Sequence, residues 1–213
     1  MSLSDKYILS DRDKDIEILN IRNNNGSNIV IPDTMINLKK LRIDNSNIII
    51  SDKLTNLEIL RINNSNTIIP NTLINLEILR IDNFNTTIPD TLINLKELRL
   101  DNSNTIIPNT LINLEILRID NSDNIIIPDT IINLKELIIY KSNITIPNTL
   151  INLKELIIEE SDVIIPNTLI LLNLLIIDKS NVIIPNALIN LEILRINNIS
   201  AIIIPDTLIK LKE

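Results

Sequence analysis

The sequence predicts a β-rich solenoid, in which a short coil of chain is repeated and each coil packs only on its neighbours. Three observations predict it. Prolines recur in one phase, 19 residues apart except for two steps of 20, with Ser51 in the one skipped place. Leucines recur in the same phase, and aromatic residues are almost absent, so the core must be aliphatic. The prolines are Pro32, Pro70, Pro89, Pro108, Pro128, Pro147, Pro166, Pro185 and Pro205.

Each coil contains one short predicted strand. In the coil that begins at Leu76, Leu79 and Ile81 are two residues apart, which is the alternation of a β-strand. Leu73, Leu76 and Leu79 are three residues apart, which suits a turn leading into that strand. Because the same spacing recurs from coil to coil, we expect the strands to form one parallel sheet on the inner face.

The outer part of each coil is short. It consists of a segment such as Thr-Ile-Ile-Pro-Asn-Thr and one tight turn, and proline and β-branched residues favour an extended arm there. Strands stack about 4.8 Å apart, so extended arms nearly match the inner spacing and we expect weak curvature. An asparagine precedes the strand, and we expect it to adopt the left-handed conformation that ends the turn. These residues are Asn37, Asn56, Asn75, Asn94, Asn113, Asn133, Asn152 and Asn190.

The pattern LxxLxxLxIxxS followed by Ile-Pro resembles the leucine-rich repeat family. The resemblance covers about residues 16–211, in about ten coils. It implies a leucine-rich repeat solenoid with a parallel inner sheet and extended outer arms with short turns; a parallel β-solenoid without the leucine-rich repeat turn is the alternative. We assign residues 16–213 to the solenoid, which ends mid-repeat, and residues 1–15 to an N-terminal cap or flexible segment.

Serine occupies a place where the family usually has asparagine. In the family, that asparagine bonds backbone groups of adjacent coils. A serine hydroxyl can bond the backbone in the same way with one donor instead of two, so we expect a hydroxyl ladder along the solenoid. The serines are Ser46, Ser65, Ser103, Ser122, Ser142, Ser161 and Ser180.

Composition excludes several classes of function. Cys and His are absent, which removes disulfides, thiolate or imidazole metal sites, and Cys or His catalysis. The net charge of −7 argues against a nucleic-acid partner, and the longest apolar stretch is too short to span a bilayer. Carboxylates fall in periodic columns, so we expect no enzyme activity, no cofactor and no metal. Residues 1–15 carry no signal-peptide core, so we expect a cytoplasmic protein without membrane contact.

Two polar columns are predicted on the inner face, because residues that alternate with the buried strand residues point away from the core. One column is rich in arginine, and the column two residues further along is rich in aspartate. The arginines form either an ion lattice with the aspartates or a charged groove for an acidic peptide or a phosphate-bearing ligand. Both interpretations stay open at the level of sequence. The arginines are Arg42, Arg61, Arg80, Arg99 and Arg118.

Coils seven to nine interrupt the arginine column with isoleucine. The result is an apolar stripe on a face that is charged elsewhere. It indicates either a contact patch for a protein partner, with Tyr140 as its anchor, or harmless drift in an isoleucine-rich chain. The predicted partner-binding residues are Ile138, Tyr140, Ile157, Glu159, Leu174, Ile176 and Asp178.

Two functional hypotheses follow from these patterns. The family resemblance implies a non-enzymatic scaffold that binds a protein or peptide on its inner face, for which the apolar stripe is the candidate site. The alternative is a structural protein that self-assembles through its terminal coils, because no polar C-terminal cap is visible and exposed strand edges template pairing. On the second hypothesis a homo-oligomer would depend on residues 199–213.

Overall fold

The computed structural model describes residues 2–3, 9, 13–22, 29–199 and 202–212. Within these residues the chain forms thirteen short strands and no α-helix. They are β1 (Ser2–Leu3), β2 (Ile18–Arg22), β3 (Ile29–Val30), β4 (Lys40–Asp44), β5 (Ile48–Ile49), β6 (Ile59–Asn63), β7 (Ile78–Asp82), β8 (Glu97–Asp101), β9 (Ile116–Asp120), β10 (Glu136–Tyr140), β11 (Glu155–Glu159), β12 (Leu174–Asp178) and β13 (Ile193–Asn197).

Eleven of these strands form one parallel sheet, in the order β1-β2-β4-β6-β7-β8-β9-β10-β11-β12-β13. Each strand pairs with the next at equivalent places of the repeat, so that Leu79 lies beside Leu98 and Arg80 lies beside Arg99. The constant register follows from the constant coil length, because each coil returns the chain to the same point one strand further along. Every residue type that repeats in the sequence therefore becomes a straight column in space.

The core is a stack of aliphatic layers. Within a strand such as β7, the second and fourth residues, Leu79 and Ile81, are fully buried, and the residues between them are partly exposed. The two leucines of the preceding turn, Leu73 and Leu76, complete the layer from the other side and are also fully buried. Each such side chain contributes about 1.5–3 kcal/mol on burial. The predicted fold class, with its parallel inner sheet and near-absence of helix, is confirmed.

Two consecutive tight turns join each outer arm to the next strand. In one coil, the Leu73 amide donates to the Pro70 carbonyl at 3.4 Å, and the Leu76 amide donates to the Leu73 carbonyl at 3.0 Å. The same pair of bonds recurs after Pro32, where Met35 and Leu38 take the places of the two leucines. These turns explain the three-residue leucine spacing, since each leucine closes one turn and enters the core.

The prediction that the pre-strand asparagine is left-handed is wrong. That asparagine instead caps the neighbouring coil: the Asn56 side-chain amide donates to the Ile36 carbonyl, and that of Asn94 to the Ile74 carbonyl, both at 2.9 Å. The left-handed residue is the one that directly follows the strand, with φ between 46° and 57°. These residues are Asn45, Asn64, Asn83, Asn102, Asn121, Lys141, Glu160, Lys179 and Asn198.

The predicted hydroxyl ladder is confirmed. The Ser103 amide donates to the Ser122 hydroxyl at 3.0 Å, the Ser122 amide donates to Ser142 at 2.9 Å, and the bonds continue through Ser161 to Ser180. In coils six to nine the serine hydroxyl also donates to a carbonyl of its own coil, as Ser142 does to Tyr140 at 2.9 Å. Each hydroxyl thus satisfies one donor and one acceptor of the buried backbone, which would otherwise be costly.

The outer arms are extended. In the first two coils they pair as parallel strands β3 and β5, and the Ile31 amide continues that pairing to the Ile49 carbonyl at 3.1 Å. Since the arms there have the spacing of a sheet, they do not force the inner sheet to bend as outer helices would. This arrangement agrees with the weak curvature that the short repeat predicts, which stays a prediction.

The N-terminal assignment falls mainly outside the described residues. Of residues 1–15, the structure places β1 beside β2 in parallel pairing, with Leu9 buried against the core. Whether this segment acts as a cap stays a prediction, as do the domain boundaries. Among the described residues, no helix is long and apolar enough to cross a membrane.

Candidate interaction surface

The inner face of the sheet displays three columns of side chains. They come from the first, third and fifth residues of the strands, which in β7, β10 and β12 are partly exposed while the second and fourth are buried. The third-residue column is the arginine column, and it continues without offset into isoleucine, since Arg118 lies beside Ile138. The same holds for the fifth residue, where Asp120 lies beside Tyr140. The sheet therefore brings all predicted inner-face residues onto one surface.

Coils two to six carry an arginine lattice, which we define as Arg42, Arg61, Arg80, Arg99 and Arg118 with the carboxylates between them. Its tightest member is Asp120, which is almost completely buried. Asp120 Oδ2 lies 2.8 Å from Arg118 Nε and 3.1 Å from Arg99 Nη2. A carboxylate shared by two guanidiniums neutralises the repulsion that stacked arginines would otherwise suffer.

The same bridging recurs elsewhere in the arginine lattice. Asp44 Oδ2 lies 2.7 Å from Arg42 Nε and 3.2 Å from Arg22 Nε. Arg80 Nη2 lies 2.7 Å from Glu97 Oε1, a carboxylate of the neighbouring coil. Most of the guanidinium groups are therefore engaged by the protein's own carboxylates. This geometry favours the ion-lattice interpretation; binding of an external anion by these arginines stays a prediction.

Arg61 is the irregular member of the arginine lattice. Asn63 stands beside it where other coils have aspartate, and none of the ion pairs among the described residues involves Arg61. Burial, together with the neighbouring cations Arg80 and Arg42, lowers the pKa of Arg61. Burial also raises the pKa of Asp82, on the next strand. The arginines at the two ends of the lattice are thus paired with carboxylates, whereas Arg61, near its middle, makes no ion pair with a described residue.

Coils seven to nine carry the inner stripe, which we define as Ile138, Ile157 and Ile176 with Tyr140 and Leu174. The three isoleucines are direct neighbours in the sheet and are partly exposed. Tyr140 is the next outward-facing residue of β10 after Ile138, and the centre of its ring is 4.8 Å from Lys141 Nζ. The structure therefore brings the predicted patch residues together. Neighbouring side chains cover part of each isoleucine, so each one is only partly exposed.

Carboxylates surround the inner stripe. Glu136 and Glu155 lie side by side on one flank, and Glu159 and Asp178 lie side by side on the other. Burial raises the pKa of Glu136, and the negative charges of Glu155 and Glu97 raise it further. Arg118 and Arg195 adjoin the two ends of the isoleucine row in the sheet. Lys141 and Lys179 belong to the adjoining turn column, and both approach Glu160 (3.6 Å and 3.3 Å). The stripe is thus an aliphatic strip between acidic flanks.

The turn beside the inner stripe is also unusual. In six other coils the left-handed residue is asparagine, and neighbouring asparagines bond each other, as Asn64 Nδ2 does to Asn45 Oδ1 at 2.7 Å. At the stripe this place holds Lys141, Glu160 and Lys179. A left-handed conformation costs such residues about 1–2 kcal/mol more than glycine. Coils seven to nine therefore differ from the other coils in two surface columns: the third strand residue and the left-handed residue of the turn.

The most exposed aliphatic side chains lie on the outer arms, where sequence reasoning did not predict a site. They stand two residues before each proline place and form a straight column that we call the outer ridge. Six of its isoleucines are between 81% and 87% exposed. The Ile-Ile-Pro segments of the sequence indicate this column, because adjacent residues of an extended arm point to opposite sides and one of the two isoleucines must point to solvent. The outer ridge is Val30, Ile49, Ile68, Thr87, Ile106, Ile126, Thr145, Ile164, Ile183 and Ile203.

A concavity of about 740 Å³ lies at the edge where the turns enter the strands. Ion pairs between neighbouring coils cross it, Lys96 to Glu77 and Lys135 to Glu115, each at 2.8 Å. Its lining is polar and strictly periodic. In the part of the chain that the structure describes, no three carboxylates converge as a metal site would require. This trough therefore offers no specific chemistry.

Comparison with known proteins identifies the class of fold. The chain is similar to a plant peptide hormone receptor, RGFR1, solved in complex with RGF2 (TM-score 0.63, 21% identity, 95% of this chain and 40% of that one). It is similar to internalin C2 of Listeria monocytogenes (TM-score 0.57, 19% identity, 89% and 84%). It is also similar to the leucine-rich repeat ectodomain of the Arabidopsis thaliana receptor kinase GASSHO1/SCHENGEN3, in complex with Casparian strip integrity factor 2 (TM-score 0.52, 19% identity, 92% and 28%).

These similarities show that the chain has the leucine-rich repeat fold. The chain spans about two fifths of the length of the peptide hormone receptor. No family model matches the sequence, and no curated protein is significantly similar to it. The fold is therefore established by coil geometry and structural neighbours, and function must be argued from the surface of this chain.

Proposed function

We propose that this protein is a non-enzymatic scaffold that binds a protein or peptide on the inner stripe. The observation that carries the proposal is the row formed by Ile138, Ile157 and Ile176, which are direct neighbours in the sheet and partly exposed on an otherwise charged face. Tyr140 supplies the anchor, because aromatic side chains are enriched among the residues that dominate binding energy.

The flanking charges specify the chemistry of the partner. An aliphatic strip between Glu136, Glu155, Glu159 and Asp178 complements a segment with apolar side chains in its centre and lysine or arginine at its edges. An acidic ligand would be repelled at this place. The arginine lattice offers the opposite charge, but its guanidiniums are mostly engaged by their own carboxylates.

Two of the structural neighbours support binding of a peptide. The peptide hormone receptor and the Arabidopsis receptor kinase ectodomain were each solved in complex with a partner, RGF2 and Casparian strip integrity factor 2. They share only the fold with this chain at this level of identity. For this chain, peptide binding and the absence of catalysis therefore remain part of the proposal.

A peptide selection tests the proposal directly. Random 15-residue peptides are displayed and selected on the protein, and the selected sequences are compared with the starting library. We expect enrichment of leucine or isoleucine together with lysine or arginine. Binding should fall at least about 100-fold when Ile138, Ile157 and Ile176 are changed to Asp, since buried unpaired charges are costly at an interface.

The chain offers a matched control for this experiment. Ile132, Ile151 and Ile170 stand in the same three coils, on the turns, and are 46–49% exposed. Changing these three to Asp introduces the same charges and should leave binding unchanged. Selected peptides that are acidic, or that bind the inner-stripe variant as well as the wild type, would show that the stripe is not the site.

Self-association through the terminal coil is the second candidate. β13 differs from the other strands, because Leu194 and Ile196 are only partly buried where their equivalents are fully buried. Light scattering at increasing concentration tests this candidate. Assembly that depends on residues 199–213, and that persists in the inner-stripe variant, would support it; a monomer at every concentration would exclude it.

The cytoplasmic location is also a proposal. The absence of Cys and the presence of Asn-rich turns suit a protein that needs no disulfide framework. Microscopy of the tagged chain, compared with a version that carries a secretion signal, would test it. Retention of the tagged chain without the added signal in the cell interior is the expected result, and its recovery in the medium would contradict the proposal.

A further inference from the structure

The outer ridge has a symmetry that its coil-by-coil sequence reveals. Ten ridge places run along the solenoid, and eight of them hold isoleucine or valine. The two exceptions, Thr87 and Thr145, occupy the fourth and the seventh places. Counted from either end, the order is the same: three aliphatic residues, threonine, two isoleucines, threonine and three aliphatic residues. The column is therefore palindromic.

We propose that the outer ridge is the interface of a homodimer, in which a second copy of this chain packs face to face with its coils in reverse order. In that arrangement Ile106 of one copy faces Ile126 of the other across the two-fold axis. Thr87 faces Thr145, and every remaining aliphatic side chain faces another aliphatic side chain. A two-fold interface requires such self-complementarity, because the same surface must serve both copies.

The column next to the ridge supports the same arrangement. It stands two residues nearer the strand on the same face and is mostly asparagine, with Asp162 as an acidic member. In the longer coil Asp123 joins its ladder, since the Asn143 amide donates to Asp123 Oδ1 at 2.7 Å; with the coil order reversed, Asp123 faces Asn104. Neighbouring members are already bonded along the solenoid, as the Asn104 amide donates to Asn85 Oδ1 at 2.6 Å. With the coil order reversed, Asp162 faces Asn66 of the other copy. No two carboxylates of this column oppose each other.

The centre of the ridge is also indented. A groove of about 410 Å³ lies between the arms of Ile106 and Ile126, and Asp90, Pro108 and Pro128 complete its walls. The coil that ends at Pro128 is one residue longer than its neighbours. The proposed two-fold axis passes beside this groove, so the groove of one copy faces the same groove of the other, flanked by the facing Ile106 and Ile126.

The exposed area is sufficient for a dimer. Taking about 80 Å² of apolar surface for a side chain of this size, the eight aliphatic ridge members offer roughly 640 Å² per copy. A standard specific interface buries about 800 Å² per partner. The ridge together with its asparagine column reaches that range.

The charge of the outer arms favours a second copy of the chain over anionic lipid or nucleic acid as the partner. The outer arms from four residues before the proline place to one residue after it contain Asp33, Asp52, Asp90, Asp129, Asp162 and Asp206, but neither lysine nor arginine. Anionic lipid and nucleic acid would therefore be repelled at their flanks. A second copy of the chain presents the same uncharged ridge. In the reversed order Asp52, Asp90 and Asp129 of its flank face Asn186, Asn148 and Asn109, and only Asp33 and Asp206, at the two ends, face each other.

Sedimentation equilibrium of the whole chain tests the proposal. We expect the wild type to sediment at twice the mass of 24.2 kDa. Changing Ile106 and Ile126 to Asp places four carboxylates at the two-fold axis and should weaken the dimer at least about 100-fold. The matched control changes Ile112 and Ile132 to Asp, on the turns of the same coils, and should leave the dimer intact. Circular dichroism verifies that each variant is folded.

Crosslinking tests the reversed coil order. The chain contains no Cys, so Thr87→Cys and Thr145→Cys each introduce a single thiol. A mixture of the two variants should be joined by a short thiol-specific crosslinker, and each variant alone should not. In the proposed dimer the two copies of one threonine are three coils apart, about 14 Å along the axis, beyond the reach of the reagent.

Four results would overturn the proposal. They are a monomer at all concentrations, a dimer that survives Ile106→Asp with Ile126→Asp, a dimer that the turn control also abolishes, and efficient crosslinking of one threonine position to itself. Binding of the monomer to uncharged lipid vesicles through the ridge would likewise replace the second copy with a lipid surface. The inner stripe lies on the other side of each coil, so inner-stripe variants should not change the mass.

Discussion

The arginine lattice and the inner stripe stand on the same sheet, yet they differ in almost every outward-facing residue. Their buried residues are interchangeable, since Leu117 and Ile119 of β9 pair in register with Leu137 and Ile139 of β10. What changes between the two regions is the third and fifth strand residue and the left-handed residue of the turn. A solenoid with constant register can therefore alter one stretch of surface without altering the core, because each column is independent of the buried ladder.

The largest difference should appear when one carboxylate is removed from each region. Asp120→Ala removes the buried carboxylate that Arg99 and Arg118 share, leaves Arg99 only its longer pair with Asp101 at 3.7 Å, and should lower the free energy of unfolding by about 2–3 kcal/mol. Asp178 occupies the equivalent place beside the inner stripe, where its carboxylate accepts only a surface bond from Asn198. Asp178→Ala should cost about 1 kcal/mol or less. Urea denaturation of both variants measures the difference.

Equal losses for the two aspartate variants would contradict this comparison. They would mean that the ion pairs of Asp120 contribute no more than an exposed hydrogen bond. Asp120→Asn serves as a further control, because it preserves volume and one acceptor while removing the charge. We expect its loss to lie between those of the two alanine variants.

The left-handed turn residues should give the next largest effect. Changing Lys141, Glu160 and Lys179 to Asn extends the asparagine ladder through coils seven to nine and relieves the conformational cost at each place, about 1 kcal/mol per residue. The two exposed ion pairs that are lost contribute only about 0–1 kcal/mol each. We expect a net stabilisation of about 2 kcal/mol, measured by urea denaturation.

The reverse substitution provides the control for that prediction. Asn102→Lys, in the lattice region, places lysine at a left-handed residue with φ 48° and removes a bond to Asn83. It should destabilise the protein by about 1 kcal/mol. If the triple change does not stabilise the protein, backbone strain does not distinguish the two regions.

A gap in the turn ladder should give a smaller effect. Leu171 stands where other coils have the capping asparagine and is 45% exposed. Leu171→Asn should let the new side-chain amide donate to the Ile151 carbonyl, as Asn152 donates to Ile132 at 2.9 Å. The expected gain is about 1 kcal/mol in the free energy of unfolding. Asn152→Leu, the matched reverse change, should cost a similar amount.

Titration should give the smallest effect. The pKa of Glu136 in the folded protein is raised above its ordinary value of 4.5 by burial and by Glu155 and Glu97. The folded state therefore holds this proton more tightly than the unfolded state, and stability falls as pH rises through the folded pKa. Glu136→Gln should reduce that fall, which begins as pH rises above the ordinary value of 4.5, and thermal unfolding at several pH values can measure the difference.

The same group links pH to the proposed function. A basic peptide on the inner stripe would favour the ionised form of Glu136, so binding should strengthen as pH rises through its pKa. Glu136→Gln should weaken this pH dependence without abolishing binding. If affinity for a lysine-containing peptide is independent of pH over that range, Glu136 does not face the ligand.

Most of the fold could be predicted from the sequence, because the period specifies which residues become neighbours. The buried ladder of Leu79 and Ile81, the inner columns and the serine ladder all follow from repetition. The left-handed residue was assigned wrongly because asparagine occurs in both turn columns. The structure distinguishes the two columns. The Asn56 side chain donates a hydrogen bond to a carbonyl of the previous coil, whereas Asn64 directly follows the strand and has a positive φ.

By itself, the sequence determined the coil length, the single strand in each coil and the columns that share a face, since these depend on spacing along the chain alone. The tertiary structure decided which member of each Ile-Ile pair is buried, as Ile69 enters the core and Ile68 joins the outer ridge. It also decided that Asp120 is buried between two arginines while Asp178 stays partly exposed. Those outcomes depend on the neighbouring coil as much as on the residue, because exposure and ion pairing are properties of packed surfaces.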